Sequence, residues 1–121
     1  MPSSLTLDDV LRQVNELGDW MFSPAKTASD RGACEDYPLH KVAIWGDVEA
    51  ARVLIDNGAD VNCTGEDYDT PLHRAVMGPH PEMVRYLISR GADPDRPNRY
   101  GFTARGLAEE LGDPRISEAM R

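Results

Sequence analysis

Long apolar runs are missing from this chain of 121 residues. No stretch reaches the roughly 18 apolar residues that a membrane-spanning helix requires, so the expected partner is not a membrane. Cysteine is scarce: Cys34 and Cys63 are the only two, and neither stands in a CxxC or Cys/His ligand spacing. That spacing excludes the usual zinc motifs, and both thiols are expected to be reduced and inert. From Met1 to Leu11 no basic stretch precedes an apolar one, so no secretory signal and a cytoplasmic location are expected. Basic residues are few, 13 against 21 acidic, for a net charge of −8. A nucleic-acid partner is thereby disfavoured, because phosphate contacts need clustered Lys and Arg. An acidic surface speeds the approach of a basic protein, although the same acidity also serves solubility alone.

Catalytic motifs are missing as well. The chain has no nucleophile elbow, phosphate loop or metalloprotease helix. The pairs Asp8-Asp9, Glu66-Asp67 and Glu109-Glu110 are adjacent in sequence. Neighbours on a helix point in different directions, which makes them poor acid–base partners. No catalytic residue, cofactor or metal is expected, and the chain is not expected to be an enzyme.

What the chain does have is an internal repeat. At an offset of 33 residues, ten of the 25 positions from Pro38 to Asn62 are identical. Pro38-Leu39-His40 meets Pro71-Leu72-His73, and Gly58-Ala59-Asp60 meets Gly91-Ala92-Asp93. Each copy reads as two helices and a turn. Thr70 is a good N-cap, and Pro71 suits the first helical position. The second helices carry apolar stripes at i, i+3, i+6 and i+7: Val48, Ala51, Leu54 and Ile55, then Pro81, Val84, Leu87 and Ile88. Gly58 and Gly91 follow them as helix stops.

A decayed third copy starts at Asn98 and continues through Tyr100-Gly101-Phe102-Thr103-Ala104, with Arg105-Gly106 in place of Leu-His. Its second helix is expected to open at Gly112-Asp113-Pro114. The expected inner stripe is Pro114, Ser117 and Met120, polar enough to end an apolar stack in water. Ahead of the repeats, Leu5 to Leu17 predicts a helix with Thr6 as N-cap and Leu5 and Val10 as a hydrophobic staple. Its apolar face is Val10, Leu11, Val14 and Leu17, and its place is a cap over the first repeat. Residues 19–36 fit no repeat; they form either an enlarged loop that binds or one whose Trp20, Met21 and Phe22 pack back.

The 33-residue period, Thr70-Pro71-Leu72-His73-Arg74-Ala75 and Gly58-Ala59-Asp60-Val61-Asn62 together resemble the ankyrin-repeat family. The resemblance implies an all-α solenoid of stacked helix pairs with β-hairpin-like fingers. The expected division is 1–36 as cap and loop, then repeats at 37–66, 67–97 and 98–121. It also implies that His40 and His73 bond within and between neighbouring repeats. Thr70, Pro38, Pro71, Gly58 and Gly91 then have structural duties.

The implied function is protein binding without catalysis, by a chain that is monomeric when free. Transferred position by position, the binding surface comprises three groups of residues. One finger supplies Glu66, Asp67, Tyr68 and Asp69, and the next supplies Arg99, Tyr100 and Phe102. The first helices supply Lys41, Ile44, Trp45, Arg74 and Met77. Trp45 ranks first, since Trp, Tyr and Arg dominate interface energetics; the alternative is that it packs on the 19–36 loop. Tyr68 departs from the glycine usual at its position, and Gly65 is expected to relocate the turn. The candidate partners are a basic toxin or enzyme, as for an immunity or antitoxin protein, or the remainder of a complex that this chain regulates or scaffolds.

Overall fold

The computed structural model describes residues 5–17 and 38–120, apart from the side chains of 13–17 and Glu66. Among them are seven α-helices and no strand: α1 (Leu7–Leu17), α2 (Pro38–Trp45), α3 (Val48–Asp56), α4 (Pro71–Met77), α5 (Pro81–Ser89), α6 (Ala104–Leu111) and α7 (Pro114–Ala119). The helices form two layers. α2, α4 and α6 pack in sequence as the first layer, and α3, α5 and α7 as the second. α1 lies against α3 and α2, extending the second layer at its N-terminal end. The expected all-α helical solenoid is therefore the fold.

Local chemistry starts the helices where the sequence places them. At α4 the Thr70 hydroxyl accepts from the His73 N–H, and the His73 ring reaches back to the Thr70 N–H. This is a capping box with histidine in place of the usual Glu. At α1, Thr6 Oγ1 accepts from the Asp9 N–H at 3.2 Å, and Asp9 accepts from the Thr6 N–H at 3.1 Å. Asp47 and Asp113 cap α3 and α7, each through a side-chain oxygen.

The core runs unbroken through every repeat, from Val10 and Leu11 through Leu39, Leu54, Leu72 and Leu87 to Ile116. Each fully buried leucine contributes about 1.5–3 kcal/mol by leaving water. Polar ties join the repeats at the finger bases. Asn62 donates to the Gly91 carbonyl at 3.0 Å and accepts from the Asp93 N–H at 2.8 Å.

The stripes of the second helices are rotated from the expected ones. In α3 the buried side chains are Ala50, Ala51, Val53 and Leu54, while Val48 and Ile55 are only partly covered. In α5 they are Met83, Val84 and Leu87. The same rotation corrects α7, where Ile116, Ala119 and Met120 are buried and Pro114 and Ser117 are exposed. Ile116 occupies the place of Ala50 and Met83 at the 33-residue offset. The last repeat thus keeps an apolar inner face. Val14, Leu17 and the 19–36 segment lie outside the described side chains and residues.

Candidate functional site

The turns that precede α4 and α6 project as two fingers of one design. Gly65 N–H donates to the Asp69 carbonyl at 2.9 Å, and Asn98 N–H donates to the Phe102 carbonyl at 2.8 Å. Inside them, Tyr68 N–H bonds the Gly65 carbonyl at 3.0 Å and Gly101 N–H bonds the Asn98 carbonyl at 3.1 Å. These are hairpin-like closures without strands.

Gly101 takes a φ of +82°, which costs glycine little. Tyr68, at the same place one repeat earlier, takes φ +59°, and Asp67 before it takes φ +58°. Gly65 does not relocate the turn, contrary to expectation; the tyrosine itself adopts the left-handed conformation. Two consecutive non-glycine residues there are strained, at roughly 1–2 kcal/mol each. Neighbouring contacts hold them. Arg99 N–H donates to the Asp67 carbonyl at 2.7 Å, Tyr100 Oη donates to Asp67 Oδ1 at 3.3 Å, and the Arg99 guanidinium lies 5.6 Å above the Tyr68 ring.

The histidines tie first-layer helices to fingers and turns. Thr70 N–H donates to His73 Nδ1 at 3.0 Å, so the proton sits on Nε2, which donates to the Phe102 carbonyl at 2.9 Å. His40 Nε2 donates to the Asp69 carbonyl at 2.8 Å, and the buried Cys63 Sγ lies 3.9 Å from its Nδ1. Bonding within and between repeats is what the motif implied for these two. His80 has a role that sequence reasoning missed. Its Nε2 donates to the Ile44 carbonyl at 2.9 Å, and its ring fills the space beside two glycines. A Cβ on Gly46 would stand 2.5 Å from His80 Nδ1, and one on Gly78 would stand 2.3 Å from Cδ2.

The expected surface residues divide. Tyr68, Tyr100 and Phe102 are exposed on the fingers, with Tyr100 the most open at 65%. Trp45, 36% exposed, and Met77 are exposed at the C-terminal ends of α2 and α4. Arg99 is exposed, Asp67, Lys41 and Ile44 are half-buried, and Glu66 lies in the turn before Tyr68.

Two residues do not belong to the surface. Asp69 and Arg74 are 6% and 9% exposed and bond each other, Nε to Oδ2, at 3.3 Å. An exposed finger residue was expected at 69, but its side chain turns inward because Arg74 and Asn98 both donate to it.

Leu111 joins the surface unforeseen. It is exposed at the end of α6, two 33-residue periods after Trp45, and that arithmetic could have found it. Every exposed large apolar side chain among the described residues lies on a finger or at the end of a first-layer helix, and none on the second layer.

An open cleft of 150 Å³ is lined by Arg105, Ala108, Glu109, Ser117 and Met120. Another of 290 Å³ runs past His80, Glu82 and Arg115. The first falls short of the about 300–1,000 Å³ that drug-sized ligands occupy, and the second lies at its lower end. Among the described residues no three His, Cys, Asp or Glu side chains are placed to hold a metal ion. None of the described helices is long and apolar enough to cross a membrane.

Comparison with known proteins agrees with this geometry. The family described as ankyrin repeats (many copies) matches residues 39–88 and, overlapping them, 72–105. No curated protein matches the chain.

Proposed function

Since this chain belongs to the ankyrin-repeat family, whose members are generally protein–protein interaction modules and typically non-catalytic, we propose that it binds a cognate protein along its two fingers and the ends of its first-layer helices. The one-sided distribution of exposed apolar side chains carries this reading. Tyr68, Tyr100, Phe102, Trp45, Met77 and Leu111 all lie there. Exposed apolar side chains confined to one layer in this way mark interaction sites, and Trp and Tyr anchor them. Asp67 and Arg99 on the fingers and Lys41 and Ile44 on α2 add polar and half-covered side chains.

The finer reading is an inhibitor of immunity or antitoxin type, set against a basic toxin or enzyme. Its support is the net charge of −8, which speeds the approach of a basic partner.

The test is affinity capture from the native cell with Trp45→Ala, Tyr100→Ala and Tyr68→Gly. The last is the gentlest truncation, because the finger already has the φ that glycine favours. Loss of one specific partner from folded variants supports the reading. Retention of that partner by all three defeats it.

A further inference from the structure

The first-layer helices need no charge where Arg74 stands. One period later, Phe102 and Leu107 occupy the positions of Asp69 and Arg74, and Leu107 packs against the core. Phe102 is exposed there and Leu107 partly buried, so this register of the fold forms without an ion pair. A buried ion pair is often no more stabilising than apolar residues of similar size, because removing two charges from water offsets their attraction.

Asp69 nevertheless gathers contacts from three repeats. Its carbonyl accepts from His40 Nε2 and from Gly65 N–H, its Oδ2 from Arg74 Nε, and its Oδ1 from Asn98 Nδ2 at 3.0 Å. The other end of the Asn98 amide builds the next finger: Oδ1 accepts from Tyr100 N–H at 2.9 Å and Phe102 N–H at 3.0 Å. The Asp69 carboxylate fixes which way that amide faces. The strained Asp67-Tyr68 turn lies immediately before it. Strained turns persist only where their surroundings over-determine them. In sequence, Asp36 and Lys41 hold the same two positions one period earlier, so an acid–base pair occurs there twice.

We propose that the Asp69–Arg74 pair, with Asn98, is a positioning device that fixes the two fingers as one rigid edge rather than adding to the stability of the stack. Its purpose rests on the docking reading above, but its test requires no partner. The double variant Asp69→Leu/Arg74→Leu removes both charges together, so neither is left buried alone. Native-state amide hydrogen exchange then separates the two roles. The Arg99, Tyr100 and Phe102 amides exchange about tenfold faster, the worth of one lost hydrogen bond. The amides of α4 and α5 keep their protection, and the urea midpoint is unchanged or higher.

Three outcomes overturn the proposal: a double variant that does not fold, unchanged finger amides, or uniform acceleration with a lower midpoint. Asn98→Asp is the second variant. It keeps an acceptor for the Tyr100 and Phe102 amides but sets a second carboxylate against Asp69. The Arg99 amide, which bridges to Asp67, is then expected to exchange about tenfold faster or more than the Tyr100 and Phe102 amides do. Wild-type exchange at Arg99 in this variant contradicts the device. A partner that ignores the edge would defeat the docking reading and leave these results standing.

Discussion

The His80 slot makes a quantitative prediction through Gly46→Ala. Gly46 has φ +76°, so any side chain there meets the left-handed penalty. Gly101 has nearly the same angle, φ +82°, but nothing within 4 Å of where its Cβ would stand. Gly101→Ala therefore isolates the backbone cost, about 1–2 kcal/mol. At Gly46 the new methyl would come within 2.5–2.7 Å of three His80 ring atoms. The ring must leave, and its bond to the Ile44 carbonyl is lost, worth about 0.5–1.5 kcal/mol. The total for Gly46→Ala is then roughly 2–4 kcal/mol, including the repacking of the displaced ring. In a His80→Ala background only the backbone part remains, giving a coupling of about 1–2 kcal/mol. Urea unfolding followed by far-ultraviolet circular dichroism measures wild type, the three single variants and the double variant. Equal costs for Gly46→Ala and Gly101→Ala, with no coupling to His80, would refute the slot.

Two further predictions follow from caps. Thr70→Ala removes a buried N-cap shared with His73 and is expected to cost about 1–2 kcal/mol. Differential scanning calorimetry would register a Tm lower by about 3–8 °C; an unchanged Tm would mean that the His73 ring alone starts α4. Asp9 concerns pH. The Thr6 backbone N–H, then the Thr6 hydroxyl, hold its carboxyl below the usual aspartate value of 3.8. A lowered folded pKa contributes stability above the unfolded value and loses it as pH falls through the folded one. The wild-type advantage over Asp9→Asn in urea midpoint is thus full above the ordinary aspartate range and shrinks below it. A difference that does not vary with pH over that range would contradict the assignment.

Much of this fold is legible because a repeat states its rules twice. Thr70, Pro71 and His73 announce α4 through capping chemistry that acts within one turn of helix. Leu54 and Leu87 mark the core because identity at a fixed period singles them out. Other features depend on neighbours distant in sequence. The stripe of α7 is rotated from the expected one: Ile116 is buried in place of Ser117, as Met83 is buried beside Val84 in α5. The steric cost of a tyrosine at position 68 is local, whereas the contacts from Arg99 and Tyr100 that hold its turn come from about 30 residues on. Asp69 looked like an exposed finger residue, yet the side chains that cover it come from α4 and from the next finger. Gly46 shows locally only a glycine at a helix end; the rest of its reason is an imidazole 34 residues later.

The most direct test of the docking edge is a hydrogen-exchange footprint of the complex with the captured partner. The account predicts new protection in the fingers at 66–70 and 98–103 and at the ends of α2, α4 and α6, with α3, α5 and α7 unchanged. Protection confined to α3, α5 and α7 would contradict it.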